Sequence, residues 1–162
     1  MDMISTGLEW AADVKNPRPA NRALEVYVLF TNVRGTLSAL RTAGQLTCGL
    51  CARIRLLLIE TVPYPLPLER PQQNRRMIEQ QFRTFVKDSI LGASAEVTAE
   101  VVLCRDRLEG LRQRLVSGSV VVIGGHGRSW FGAEDRLARA LRHDGHHVIR
   151  SSAPVCLTDV AS

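Results

Sequence analysis

The sequence predicts an α/β protein in which a parallel sheet is covered by helices on both faces. Short apolar runs alternate with segments of helical period, in the order β-α-β-α-β-α-β-α-β. The apolar runs are nearly continuous, which is typical of parallel strands that are buried on both faces. The chain has 162 residues, of which 45% are hydrophobic, and this length suits one domain with a sizeable core.

Five apolar runs are predicted to form the strands. They cover residues 24–31, 53–62, 96–103, 119–123 and 147–150. The run at 119–123 is the clearest buried strand, whereas the alternation at the start of 96–103 favours an edge strand. Each run is followed by a turn or by a segment whose period changes to that of a helix.

Four helices are predicted from apolar residues at three- or four-residue spacing. Thr36 is the expected N-cap of the first helix and Asp106 that of the third. Prolines over 63–67 exclude regular structure before the second helix, which is predicted over 71–90. The predicted apolar faces are, in chain order: Ala39, Ala43, Leu46 and Leu50; Ile78, Phe82, Phe85 and Ile90; Leu108, Leu111 and Leu115; Ala133, Leu137 and Leu141.

Charge and hydropathy exclude several classes of protein. The chain carries 21 basic and 16 acidic residues, but the basic ones are scattered and match no RNA-recognition or zinc-finger pattern. We therefore do not expect a nucleic-acid partner. The most apolar stretch, 54–59, is interrupted by Arg55 and is too short to cross a bilayer. Residues 1–4 do not begin a secretory signal, so we expect a cytoplasmic protein with no membrane partner.

Two clusters of potential ligands are weak candidates for chemistry. Cys48 and Cys51 form a C-x-x-C pair, which can be redox-active or half of a zinc site. The pair lies late in a predicted helix and no second pair follows, so buried small apolar residues are the preferred interpretation. The imidazoles of the segment 143–147 are not expected to bind a metal, because neighbouring strand residues point to opposite faces.

The most informative segment is the glycine-rich run 124–129, which follows the fourth strand. Ligands of open parallel sheets bind at the carboxyl ends of strands, so this run and residues 31–35 are the candidate loops. Glycines before a helix allow backbone N–H groups to approach a phosphate. The P-loop and dinucleotide-binding motifs both fail here, because Ala133–Glu134 replaces Lys-Ser/Thr and Trp130 replaces a glycine. A tight strand-to-helix turn accounts for the same glycines without a ligand.

The loop resembles that of the universal stress protein family, whose members typically read VVMGSHGRSG where this chain reads VVIGGHGRS over 121–129. The resemblance covers roughly residues 24–151, leaving 1–23 as an N-terminal extension and 152–162 as a tail. It implies a three-layer fold with a five-stranded sheet of order 3-2-1-4-5. It also implies a homodimer, formed through the last strand, and a non-enzymatic regulatory or binding role in stress responses.

Some members of that family bind ATP through G-x-x-G, nine residues, then Gly-Ser/Thr, together with an acidic residue after the first strand. The resemblance carries nucleotide or anion binding over to Gly124, Gly127, Arg128 and Ser129. Asn32 and Arg34, which stand at the position of the acidic residue, complete the six predicted binding residues. The later Gly-Ser/Thr pair and the acidic residue are missing, since Leu137–Ala138 and Asn32 or Arg34 occupy those positions. We therefore expect no resident cofactor and no regular MgATP site.

Two alternative functions stay open from the sequence. The first is an ATP- or AMP-binding stress sensor with slow hydrolysis. An intermediate hypothesis is a metal-free anion or AMP-like ligand that is held by Arg34, Arg128 and the loop amides. The second is a protein-interaction domain that uses the N-terminal arm and the crossover 63–71.

Overall fold

The computed structural model of the chain describes residues 24–68, 80, 82, 84, 85, 87, 96–125 and 132–152. The strands in these ranges are β1 (Leu24–Leu29), β2 (Ala52–Thr61), β3 (Glu96–Cys104), β4 (Val120–Gly125) and β5 (His147–Ser152). The helices are α1 (Val33–Thr47), α2 (Arg107–Arg114) and α3 (Ala133–His143). The predicted extension 1–23 and the tail from residue 153 onward lie outside the described residues.

The five strands form one parallel sheet of order β3-β2-β1-β4-β5. The predicted topology is thereby confirmed, including the position of the third strand at an edge. From β1 the chain continues to β2 and then to β3, which lies at one edge of the sheet. It then crosses back through α2 to β4, which lies on the other side of β1. Because these crossovers are right-handed, the helices of connections that run toward β3 and of those that run toward β5 lie on opposite faces of the sheet.

Two apolar clusters fill the layers between the sheet and its helices. On one face, Val26 and Val28 of β1 pack with α1 and with Phe82. On the other face, Tyr27 and Leu29 pack with α2 and α3. All four β1 side chains are buried, and full burial of one such side chain contributes about 1.5–3 kcal/mol. Alternate residues of the central strand therefore hold both layers together.

The predicted second helix is confirmed at the positions that the structure describes. Residues 80, 82, 84, 85 and 87 are helical. The rings of Phe82 and Phe85 meet the ring of Phe30 edge-to-face, with centroids 5.5 and 5.6 Å away. These contacts anchor the helical segment beside the end of β1.

The start of α1 differs from the prediction. Asn32, not Thr36, is the N-cap: its backbone is extended (φ −154°, ψ 169°) and its Oδ1 accepts a hydrogen bond from the Gly35 N–H at 2.8 Å. The helix begins before Thr36 because the chain turns directly after β1, and asparagine is a strong N-cap. Thr36 is instead buried in the first turn, and its Oγ1 accepts from the Thr31 N–H at 3.2 Å.

The buried face of α1 also differs from the prediction. Ala39 and Ala43 are buried as expected, but Leu46 is 39% exposed, and Leu50, 57% exposed, lies beyond the helix. Small residues line the buried face: Gly35, Thr36, Ala39, Ala43 and Thr47. The apolar faces of α2 and α3 are confirmed except at Ala133, which is exposed where α3 begins.

Candidate functional site

The candidate site lies where the strand order reverses, between the carboxyl ends of β1 and β4. These strands are paired up to Leu29 and Ile123. Connections leave them in opposite directions, to β2 on one side and to β5 on the other. Such a switch point opens a crevice above the sheet, and this is where open parallel sheets bind their ligands.

A contact between two glycines brings the start of α1 against the end of β4. A β carbon built on Gly124 would lie 1.8 Å from the carbonyl oxygen of Gly35. One built on Gly35 would lie 2.9 Å from Thr31 Oγ1 and 3.0 Å from the carbonyl oxygen of Gly124. Gly124 belongs to β4, which runs two residues beyond the predicted strand end. Because a β carbon at Gly124 would overlap the Gly35 backbone, glycine is needed here for this contact, with or without a ligand.

Thr31 fixes the turn between β1 and α1, a role that the sequence did not suggest. Its Oγ1 donates a hydrogen bond to the carbonyl oxygen of Gly124 at 2.8 Å, and its N–H donates to Thr36 Oγ1. The residue therefore ties the β1–α1 turn to the end of β4. The available signal was a hydroxyl side chain directly after a buried strand, which is too common in turns of every kind to indicate this role.

The N-terminus of α1 presents unpaired donors at the crevice. The Gly35 N–H reaches Asn32 Oδ1, and the Thr36 N–H reaches the Asn32 carbonyl oxygen at 2.8 Å. The N–H groups of Val33 and Arg34 have no acceptor among the described residues. The first turn contains no acidic residue, and Arg34 adds an exposed guanidinium. Both the helix dipole and this charge favour an anion here.

Three of the predicted anion-binding residues lie at this end of the sheet. Asn32 caps α1, Arg34 lies in its first turn, and Gly124 contacts Gly35. The other three predicted residues, 127, 128 and 129, lie outside the described residues. The anion-binding role of all six therefore stays a prediction.

Comparison with known proteins identifies the fold. No protein-family model matches the sequence, and no curated protein does. Solved structures similar to this chain include three universal stress proteins. A universal stress protein from Archaeoglobus fulgidus has 12% identity and a TM-score of 0.56, over 79% of this chain and 93% of that one. A protein of the same family from Burkholderia pseudomallei has 18% identity and a TM-score of 0.57, over 82% and 98%. A universal stress protein in complex with cAMP has 13% identity and a TM-score of 0.54, over 81% and 98%.

The chain has the universal stress protein fold. The resemblance noted at the glycine-rich loop is thus matched by the architecture, including the sheet order and the helices on both faces. At these levels of identity the likeness shows the fold alone.

An acidic residue near the crevice is neutralised from within the protein. Asp135 lies in the first turn of α3, where an uncompensated carboxylate would repel a triphosphate. Asp135 is buried, but it accepts hydrogen bonds from Arg139 and from Arg150 Nη1, the latter at 3.0 Å. Two guanidinium groups therefore compensate one carboxylate, and Asp135 does not act as a free negative charge.

Strands β2 and β3 of the universal stress protein fold run past the end of β1, at one side of the crevice. β2 leaves β1 at Leu57 and continues, paired with β3, as far as Thr61. Beyond it, the guanidinium of Arg105 lies 4.1 Å from the ring centroid of Tyr64 and donates to the carbonyl oxygens of Val62 and Pro63. Tyr64 is 81% exposed, so the crossover presents a fixed aromatic ring to solvent.

The cysteines do not behave as the sequence led us to expect. Cys48 and Cys51 are both exposed, so their predicted burial is wrong, while Cys104 is buried. Burial, reinforced by the nearby Asp106, raises the pKa of the Cys104 thiol. Within the described ranges, no three His, Cys, Asp or Glu side chains converge as a metal site. No helix in the described part of the chain is long and apolar enough to cross a membrane.

Proposed function

We propose that this chain is a regulatory binding module of the universal stress protein type, whose crevice binds the phosphate of an adenine mononucleotide without Mg²⁺. The observation that carries the proposal is the meeting of α1 and β4 at the switch point of the sheet. The two unpaired N–H groups and Arg34 favour negative charge there. The role is non-enzymatic and belongs to a cytoplasmic protein.

The side-chain oxygens near α1, considered as metal ligands, favour a mononucleotide over MgATP. Mg²⁺ is held in proteins by one or two carboxylates together with the substrate phosphates. Asn32 or Arg34 occupies the position of the acidic residue after β1, and Asn32 Oδ1 is already engaged by the Gly35 N–H. A single phosphate group needs no such cation. One solved structure with this fold contains cAMP, which is a ligand of this chemical class.

The binding mode follows from the donors. The phosphate accepts hydrogen bonds from the first N–H groups of α1 and forms a charge-assisted pair with Arg34. By resemblance, Gly127, Arg128 and Ser129 also take part in binding. Gly124 contributes by allowing α1 to approach β4.

Calorimetric titration of the full chain tests this proposal with AMP, cAMP, phosphate, and ATP with and without Mg²⁺. We expect binding of AMP or cAMP that does not respond to Mg²⁺. Arg34→Ala is expected to weaken it about tenfold, the loss of roughly one charge-assisted hydrogen bond. Arg41→Ala is the matched control, because Arg41 is also exposed on α1 and lies two turns away on the same face, about 10 Å along the axis.

The alternatives have distinct outcomes in the same experiments. Binding of ATP that requires Mg²⁺, or ATP that co-purifies and is slowly hydrolysed, would establish the nucleotide sensor instead. Absence of heat with all of these ligands would overturn the anion site altogether.

A homodimer is part of the proposal. Among the described strands β5 pairs only with β4 and so forms an edge of the sheet, whose other side can accept a strand from a second copy. Light scattering during size-exclusion chromatography should give twice the 17.9 kDa chain mass. Ile149→Pro, at the centre of β5, should shift the protein toward the monomer. A mass of one chain for the unaltered protein would refute the dimer.

A protein-interaction function is the second candidate, and the exposed ring of Tyr64 favours it. Arg105 contacts the ring and holds the crossover to the end of β2. Because the ring is already held in place, little conformational entropy would be lost when a partner binds it. Affinity capture with the full chain should recover a partner that Tyr64→Ala loses and Arg41→Ala retains. Equal capture by both variants would dismiss the crossover as a docking site.

A further inference from the structure

The exposed pair Cys48 and Cys51 lies at the opposite end of α1 from the crevice and has no role in the proposed function. Cys48 is the C-cap of α1, and Cys51 directly precedes β2. Both thiols are exposed, although the sequence favoured burial. An accessible C-x-x-C is one of the few arrangements in which two thiols can react with each other over so short a stretch of chain.

Residues 47–50, which include Cys48, form a type II turn that ends one residue before Cys51. Cys48 has φ −59° and ψ 123°, Gly49 has φ +75°, and the Leu50 N–H donates to the Thr47 carbonyl oxygen at 3.0 Å. These are the angles and the hydrogen bond of that turn type, which requires a positive φ at its third residue and so favours glycine there. The turn reverses the chain directly after Cys48, and Cys51 follows its last residue, Leu50.

Backbone hydrogen bonds hold both Cys48 and Cys51 in place. The Cys51 carbonyl oxygen accepts a hydrogen bond from the Leu24 N–H at 3.2 Å, and Ala52 is the first residue of β2. Cys48 donates its own N–H to the Gln45 carbonyl oxygen at 3.4 Å. The two cysteines are therefore fixed on a helix end and on a strand start, with their thiols in solvent.

We infer that Cys48 and Cys51 form a dithiol that a hydroperoxide converts to an intramolecular disulfide. One thiolate attacks the peroxide, the O–O bond breaks, and a sulfenic acid and one molecule of water or alcohol are produced. The sulfur of the second cysteine then displaces the hydroxyl as water and forms the S–S bond. The two thiols lose two electrons and two protons in all, and the peroxide takes them up.

The surroundings favour a redox pair over a metal site or a catalytic thiol. Two thiols supply only half of a tetrahedral zinc site, and no third ligand joins them among the residues described. Catalytic thiols sit beside cations or at helix N-termini, whereas this pair lies at a helix C-terminus with no basic residue in the last turn. These surroundings do not favour transfer of a disulfide to other proteins, whereas two exposed thiols so close in sequence can close on each other.

Peptide mapping of the full chain tests this inference directly. Arg41 and Arg53 flank the pair, so trypsin releases both cysteines in the one peptide 42–53. After exposure to hydrogen peroxide and alkylation, we expect this peptide to be unalkylated and lighter by two hydrogen atoms, and dithiothreitol to restore it. The thiols titrated in the unfolded chain should fall from four to two. Cys104 should stay reduced, because it is buried.

Two variants separate the proposed pair from general oxidation. Cys51→Ser should prevent the mass loss and leave Cys48 as a sulfenic acid or a disulfide between chains. Gly49→Ala opposes the positive φ of the turn and should slow ring closure severalfold while both thiols still react with the alkylating agent. Oxygen added to peptide 42–53 in the unaltered protein, pairing of either cysteine with Cys104, or closure at an equal rate in Gly49→Ala would overturn the inference.

Discussion

The substitution Gly124→Ala tests whether the backbone of β4 really contacts the start of α1. The new β carbon would lie 1.8 Å from the Gly35 carbonyl oxygen, 2.2 Å from its carbon and 2.8 Å from its Cα. All three are backbone atoms, so no side-chain rotation relieves the overlap. Either α1 or the end of β4 must move by more than an ångström.

The cost has two parts. Overpacking of this kind destabilises a protein by about 1–3 kcal/mol. The movement also breaks the hydrogen bond from Thr31 Oγ1 to Gly124, which contributes about 1 kcal/mol. We therefore expect Gly124→Ala to lower the free energy of unfolding by about 2–4 kcal/mol.

Urea unfolding followed by circular dichroism measures this loss as a lower midpoint at unchanged slope. Gly44→Ala is the matched control, because Gly44 lies in α1 and a β carbon there meets no atom within 4 Å. That variant should be stabilised by up to about 1 kcal/mol, since alanine is the better helix former. If both variants unfold at the same midpoint, the close contact between α1 and β4 is wrong.

The remaining predictions concern the cap of α1 and two titrating groups. Asn32→Ala should destabilise the protein by about 1 kcal/mol in urea unfolding, while Asn32→Asp, which keeps the acceptor, should not. Burial, followed by the hydrogen bond to Glu25, raises the pKa of Tyr27 to about 12. The folded protein thus keeps a proton that the unfolded chain loses near pH 10, so about 2–3 kcal/mol of stability should disappear between pH 10 and 12, and Tyr27→Phe should flatten this slope. The hydrogen bond from Arg112 lowers the pKa of Asp144, so its contribution to stability is present above the unfolded pKa and is lost as the pH falls through the lower, folded value. A carbon-detected NMR titration should show the pKa of Asp144 rising in Arg112→Ala, and an unchanged value would refute this pairing.

The sheet could be predicted from sequence because its signal is local. Each strand is a nearly continuous apolar run, and each helix has its own period, so the order of elements follows without tertiary information. The strand order came from the resemblance at the glycine-rich loop, and the sheet confirms it. The local pattern did not predict where each element ends. For example, β4 includes Gly124 and Gly125, which lie beyond the predicted end of the strand.

The orientation of α1 could not be predicted, because a distant contact decides it. Apolar spacing placed Leu46 in the core, and burial of a leucine would ordinarily be favourable. The helix instead turns small residues toward the sheet, since Gly35 must approach Gly124 within backbone contact. The hydrogen bond that fixes this approach joins residues 93 positions apart, and no local pattern carries that information.

The same contact shows why the glycine-rich pattern alone does not distinguish a ligand site from a structural turn. Gly124 is required on steric grounds whether or not an anion binds, so its presence is poor evidence for a ligand. Arg34 is different, because its guanidinium is exposed and a cation in the first turn of a helix is slightly unfavourable to the folded state. Removing it should leave the stability equal or slightly higher while weakening anion binding. Gly124→Ala, in contrast, should reduce both properties, so comparison of these two variants separates the function of the crevice from the packing that builds it.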